Sequence, residues 1–124
     1  INNVKVSFFQ ADMLDLTKYE QKFDLIVSNP PYVLENEKSK IADNVLNFEP
    51  TIALFVKDKY PLVFYHAIKK ILLSNLKSGG MCFLEINEAF GNEVVSIYRE
   101  NGLMSVNLKK DNYGKNRMIK IVRK

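Results

Sequence analysis

The apolar positions first alternate. From Val4 to Phe8 every second residue is apolar, with Lys5 and Ser7 between them. That is the period of a half-buried strand, and VKVSFFQA is expected to form one. LTKYEQK, residues 16–22, is polar and reads as a short helix or loop. At Phe23 the alternation gives way to a short apolar run with β-branched residues, FDLIVSN, which stops at Pro30. Such a run is expected to be a strand buried on both faces. Residues 33–57 follow no single period: ENEKSK reads as a solvated charged stretch and FEPTIALF as an apolar return. An irregular excursion this long in a compact domain is expected to carry a function. The period then lengthens. Tyr65, Ile68, Leu72 and Leu76 fall on one helical face, Pro61 suits a first turn, and Lys77-Ser78-Gly79-Gly80 is a stop signal, which predicts a helix over 60–76. MCFLEI reads as a second buried strand, and residues 89–100 as a second helix stopped by Asn101-Gly102. Two more strands, MSVNLKK and RMIKIVR, flank the turn-rich DNYGKN, with Ile119 and Ile121 alternating against Met118, Lys120 and Val122. The order of elements predicts an α/β fold: a mostly parallel sheet closed by an antiparallel hairpin.

The 124 residues suffice for one domain with a real core, and 47% apolar with 26% charged residues is ordinary globular composition. No apolar run is long enough for a membrane helix, and the start, INNVKVSFFQ, lacks the pattern of a signal peptide. Cys82, the single cysteine, lies inside MCFLEI and is read as a small core residue. Together these features lead us to expect a cytoplasmic protein that does not need a membrane. A net charge of +4 is accounted for by a solvated basic face and hints only weakly at nucleic acid. The sequence starts at Ile1 and enters a strand pattern almost at once, as a processed chain or a fragment would.

In open α/β sheets ligands sit beyond the carboxyl ends of the strands. Three candidate positions are expected there: Asn29 to Tyr32, Asp12 and Glu85. Asn29-Pro30-Pro31-Tyr32 has a physical logic. The two prolines fix φ and carry no N–H, so the segment is stiff and cannot extend a ladder, yet its carbonyls can accept hydrogen bonds. Asn29 adds a side-chain carbonyl and Tyr32 an aromatic plane. Together they suit a planar –NH2 group, although proline turns at strand ends also occur as plain structure. The alternative for Asp12 is a turn residue capping DLTKYEQK. His66 is read as surface or packing, not as a base.

DLIVSNPPYV resembles the [DN]-P-P-[YF] acceptor motif of S-adenosylmethionine-dependent amino-methyltransferases, which serves adenine, guanine and glutamine alike. Three further stretches narrow the choice. NFEPTIALF resembles the F-E-P-x-x-A-L signature of the HemK/PrmC family of protein-glutamine methyltransferases. GGMCFLEI resembles its G-G-x-x-x-x-E strand, and Asp111 to Arg117 its closing D-x-x-G-x-x-R. These matches run along nearly the whole chain in order. The resemblance implies a Rossmann-like class I methyltransferase sheet, with this chain as its C-terminal part. It implies S-adenosyl-L-methionine as cofactor and peptide chain release factors as partners, methylated on the glutamine of their GGQ motif. Asn29 and the Pro30 carbonyl would hold the two amide hydrogens, and Tyr32 would pack against the amide, with Pro31 completing the turn. Asp12 would accept from the adenine amine, Met13 would lie beside the adenine where the family often has an aromatic residue, and Asn29 would also lie near the cofactor. Glu49 and Pro50 would shape the loop beside the site. Glu85 would orient the site or serve the fold.

The resemblance also defines what is missing. None of the five glycines forms the G-x-G cofactor loop, and the family's helical N-terminal domain has no counterpart in the chain. Residues 1–124 are therefore expected to be a partial methyltransferase domain that binds the cofactor weakly when isolated and is inactive alone. The alternative readings are an amino-methyltransferase acting on RNA or DNA bases through the same motif, and a non-catalytic interaction domain. In the family's strand order, three, two, one, four, five, seven, six, the strand FDLIVSN would lose one neighbour. Either VKVSFFQA is expected to cover that edge, or two chains are expected to pair along it as a homodimer.

Overall fold

The computed structural model describes residues 3–15 and 20–124. Its main sheet has four strands: β1 (Phe23–Ser28), β4 (Leu76–Glu85), β6 (Asn116–Arg123) and β5 (Met104–Lys110), in that spatial order. β1 runs parallel to β4, with Leu25 opposite Met81 and Val27 opposite Phe83. β4 and β5 both pair antiparallel with β6, which closes the sheet as a hairpin. This is the expected order four, five, seven, six. Parallel neighbours need a long crossover; here it is the segment from Val33 to Asn75, ending in helix α3 (Val63–Asn75).

α3 and the later helix α4 (Gly91–Arg99) cover one face of the sheet. Tyr65, Ile68 and Leu72 of α3 and Leu76 just beyond it are buried, as their spacing predicts. They meet Cys82 and Leu84 of β4, Ile119 and Ile121 of β6, and Val94, Ile97 and Tyr98 of α4. The opposite face is open: Leu25, Val27, Met81, Phe83 and Met118 are all exposed. The expectation that FDLIVSN and MCFLEI are buried strands is corrected accordingly. Each hides one face only, and β1 has no neighbour beyond its outer edge among the described residues.

Two further expectations fail. VKVSFFQA forms no strand, and Val4, Val6 and Phe8 are exposed. Alternation supplies a face to bury but no ladder partner, and without one the extended backbone is not a strand. The segment therefore leaves the β1 edge uncovered, so the first route to closing that edge is not taken. Residues 33–57, read as irregular, are instead built of short pieces. A two-residue strand, β2 (Val33–Leu34), opens the excursion and pairs in parallel with β3 (Phe55–Val56) at its close. Between them lie a 3-10 segment (Glu35–Lys40), α1 (Asp43–Phe48) and α2 (Thr51–Leu54). Elements this short escape a periodicity reading. Of LTKYEQK, Leu16 to Tyr19 lie outside the described residues, and Glu20 to Lys22 have no regular structure.

The stop signal after α3 acts, but not as a turn. The helix ends at Asn75, and Lys77 to Gly80 form an irregular start to β4, where the register with β1 shifts. Gly79 has φ of +76°, and a Cβ on Gly80 would stand 2.8 Å from the Lys77 carbonyl oxygen. Both positions therefore favour glycine, for different reasons.

Candidate active site

Asn29 to Tyr32 leave the carboxyl end of β1, as expected of a ligand-facing turn. The Pro30 ring is fully buried and anchors the turn, whereas Asn29 is exposed. Among the described residues no hydrogen bond reaches the Asn29 side chain or the Pro30 carbonyl. Asn29 is open to solvent, whereas Pro30 is buried as a whole residue. Tyr32 is half-buried against the core, and its hydroxyl donates to Glu85 Oε1 at 2.5 Å. Glu85 ends β4, so a residue from the neighbouring strand fixes the tyrosine ring. Burial first, and the adjacent Glu85 carboxylate second, push the Tyr32 phenol up to about 12, which keeps it a donor.

Below this pair the support is a short chain of phenols. Tyr65 donates to the Glu85 carbonyl at 3.4 Å, and buried Tyr98 donates to the Tyr65 carbonyl at 2.9 Å. Desolvation suppresses the ionisation of both phenols, pushing their pKa values up, and it pushes the Cys82 thiol up to about 12. The consequence for stability has a definite sign. Below about pH 9 all these groups are protonated in folded and unfolded chains alike, and their contribution is complete. Above about 9 for the thiol and about 10 for the phenols, the unfolded chain releases protons that the fold retains, so stability falls as pH rises toward 12. Urea unfolding at about pH 8 and about pH 11 is expected to show a clearly lower midpoint at the higher pH; equal midpoints would refute the burial of these groups.

The closing motif is structural at its acid. Asp111 Oδ1 accepts from the Tyr113 and Lys115 backbone N–H groups at 2.9 and 3.0 Å, and Oδ2 faces Arg117 Nε at 3.4 Å. These contacts hold the Asp111 carboxyl below its ordinary range, and Gly114 supplies the positive φ of +78° that the β5–β6 turn requires. Just past this turn, the Ile86 N–H donates to the Arg117 carbonyl at 2.9 Å, continuing the β4–β6 pairing beyond Glu85.

Asp12 behaves as a cap. Its Oδ1 accepts from the Leu14 N–H at 2.8 Å and starts a 3-10 turn, Met13–Asp15. Met13 is half-buried and packs on the core. It lines a cleft of about 390 Å³ that runs along β1 from Phe23 to Ser28, with Phe9 on the same wall. Met13 and the residue before Asn29 thus share one cleft. Glu49 and Pro50 are exposed and cap the two short helices: the Glu49 N–H closes α1 on the Val45 carbonyl, and the Pro50 carbonyl opens α2 by accepting from Ala53. Among the described residues no hydrogen bond ties either to Asn29 or Tyr32. His66 is exposed on α3, away from these groups.

Sequence reading missed Asn87, which is buried directly after β4. Its Nδ2 donates to the Tyr32 carbonyl at 3.1 Å and to Glu37 Oε2 at 3.2 Å, and its Oδ1 accepts from the Ala89 N–H at 3.0 Å. Glu37 was hidden too, inside a stretch that looked merely solvated. The usable signal was position: Asn87 lies just past a strand's carboxyl end, beside Glu85.

Comparison with known proteins adds to this geometry. The family model described as Eco57I restriction-modification methylase matches residues 2–113. A release factor glutamine methyltransferase of Flavobacterium psychrophilum is 42% identical over 121 residues, which is 98% of this chain and 42% of that protein. Its counterpart in Bacteroides thetaiotaomicron is 42% identical over 111 residues, covering 90% of this chain and 38% of that one. In Lactococcus lactis subsp. lactis the identity is 35% over 122 residues, 98% of this chain and 44% of the relative. The chain thus spans less than half the length of these relatives, and the resemblance read from NPPY, F-E-P-x-x-A-L and the closing motif is borne out.

Proposed function

Because this chain belongs to the methylase family whose model it matches from residue 2 to residue 113, we propose that the polypeptide carrying it methylates the side-chain amide of the GGQ glutamine in peptide chain release factors. The identity to release factor glutamine methyltransferases over nearly the whole chain supports this substrate. The single observation that carries the chemistry is the pair of unengaged acceptors, Asn29 and the Pro30 carbonyl, beside a tyrosine pinned by Glu85.

An amide nitrogen is a poor nucleophile because its lone pair is delocalised into the carbonyl. Asn29 and the Pro30 carbonyl each accept one of its N–H groups, which favours a more pyramidal and electron-richer nitrogen. Tyr32 packs against the amide plane, and its hydroxyl, committed to Glu85, takes no proton. Catalysis rests on position and fixed dipoles. The methylated amide is acidic while still protonated, so water removes the proton and no strong base is needed; an exposed His66 and a buried, protonated Cys82 fit that scheme.

Methylases of this family use S-adenosylmethionine, which supplies a methyl group on a sulfonium. The residues present suit its adenine end. Met13 and Phe9 give the cleft an apolar wall, and Asp12 keeps its second carboxylate oxygen for the adenine amine, because only Oδ1 is used by the cap. Pro31 completes the acceptor turn, while Glu49 and Pro50 keep only the contacts that cap their own short helices.

A second reading has one observation in its favour: the matching family model is named for a restriction-modification methylase, and NPPY also serves flipped or unpaired bases. Incubation of the polypeptide with methyl-labelled cofactor, a release factor and, separately, RNA and DNA decides between them. Label is expected in the release factor. Label in nucleic acid alone supports the second reading, and label in none of them defeats both.

A further inference from the structure

We propose that Asn87 is a positioning residue. With Glu37 it forms a latch that locks the acceptor turn to the excursion of residues 33–57. The inference rests on the function proposed above for its kinetic arm, and on geometry alone for its structural arm.

The amide of Asn87 is fully used. Its oxygen accepts from Ala89, which fixes which end of the amide is the donor, and its nitrogen then faces two acceptors at once. One is the carbonyl of Tyr32, a backbone group of the NPPY turn itself. The other is Glu37 Oε2, which also accepts from the Leu34 N–H at 3.0 Å. Leu34 belongs to β2, the first element after the turn. Two segments distant in sequence therefore meet at one buried amide: the continuous stretch from the turn at Tyr32 to Glu37 in the opening of the excursion, and the carboxyl end of β4. Without Asn87 the Tyr32 carbonyl and the Glu37 carboxylate would both lose a donor in a half-buried place, which is costly for each. The β2–β3 pairing closes the far end of the excursion, so a shift at Glu37 is carried to Phe55 and Val56. Asn87 does not touch the acceptor in this scheme. It holds the carbonyl of the residue that does.

Asn87→Asp is the informative variant. The carboxylate keeps the oxygen that caps Ala89, so the local turn survives, but it replaces a donor with a negative charge facing two acceptors. Hydrogen exchange of Val33 to Lys40 is expected to accelerate by about tenfold or more, with little change at β4–β6. In the full polypeptide, turnover on the release factor is expected to fall on the order of 10²-fold, as for a small misplacement of a reacting group, with cofactor affinity unchanged. Adding Glu37→Gln removes the like-charge contact and is expected to recover part of both losses. The latch is overturned if exchange of Val33 to Lys40 is unaltered, or if the two substitutions are simply additive. If the wild-type polypeptide methylates no release factor, the functional reading fails, while the exchange data still decide the latch. Wild-type turnover in Asn87→Asp together with accelerated exchange overturns the positioning role alone.

Discussion

Asn29→Ala is expected to lower methyl-transfer turnover by about 10²–10³-fold, the usual cost of deleting one fixed dipole aimed at a reacting group. The side chain is exposed at the end of β1 and has no partner among the described residues, so its removal disturbs nothing in the fold. Stability should stay within about 0.5 kcal/mol, as at surface sites generally. Cofactor affinity should change little, because a side-chain loss leaves the Asn29 backbone in place. Asn29→Asp retains an acceptor at the same position and should lose less. Single-turnover kinetics with saturating cofactor, paired with calorimetry of cofactor binding, separates these effects. Wild-type turnover in Asn29→Ala would remove Asn29 from the acceptor site.

Leu72→Ala is expected to destabilise the fold by about 2–5 kcal/mol, the range for a leucine truncated in a packed core. That is a large part of a typical total of about 5–15 kcal/mol. Leu72 has no exposed surface and sits in the same core cluster as Cys82, Leu84, Ile119 and Ile121. Its carbonyl also accepts from the Leu76 N–H at the helix end, so the cavity would open where α3 hands over to β4. The site would feel this, because α3 carries Tyr65, whose hydroxyl reaches the Glu85 carbonyl. Urea unfolding should show a lower midpoint with an unchanged slope. A loss under about 1 kcal/mol would mean that the helix face does not pack on the sheet as described.

The elements with a strong period were legible in the sequence. Tyr65, Ile68, Leu72 and Leu76 gave α3 its buried face, Ile119 and Ile121 gave β6 its inward side, and the turn at Gly114 followed from its residues. Pairing was not legible. Val4 to Phe8 alternate as a strand should, but alternation cannot say whether a neighbour exists. FDLIVSN looked doubly buried, because an apolar run records what a strand can bury, not what covers it. The place of Asn29 to Tyr32, just past the end of β1, was readable because proline's effect on the backbone is local. Asn87 and Glu37 were not, since their meaning comes from a contact across 50 residues of sequence. Asp12 shows the remaining ambiguity resolved by half: it does cap a turn, and one oxygen is still free for another task.

The site of the transferred methyl group is the most direct test. Mass-spectrometric fragmentation of a release factor, after reaction with the polypeptide and S-adenosylmethionine, is expected to place a single methyl on the side-chain nitrogen of the GGQ glutamine. No methyl should appear with Asn29→Ala on the same time scale. A methyl on a lysine, an arginine or a nucleic-acid base, with that glutamine untouched, would contradict the account.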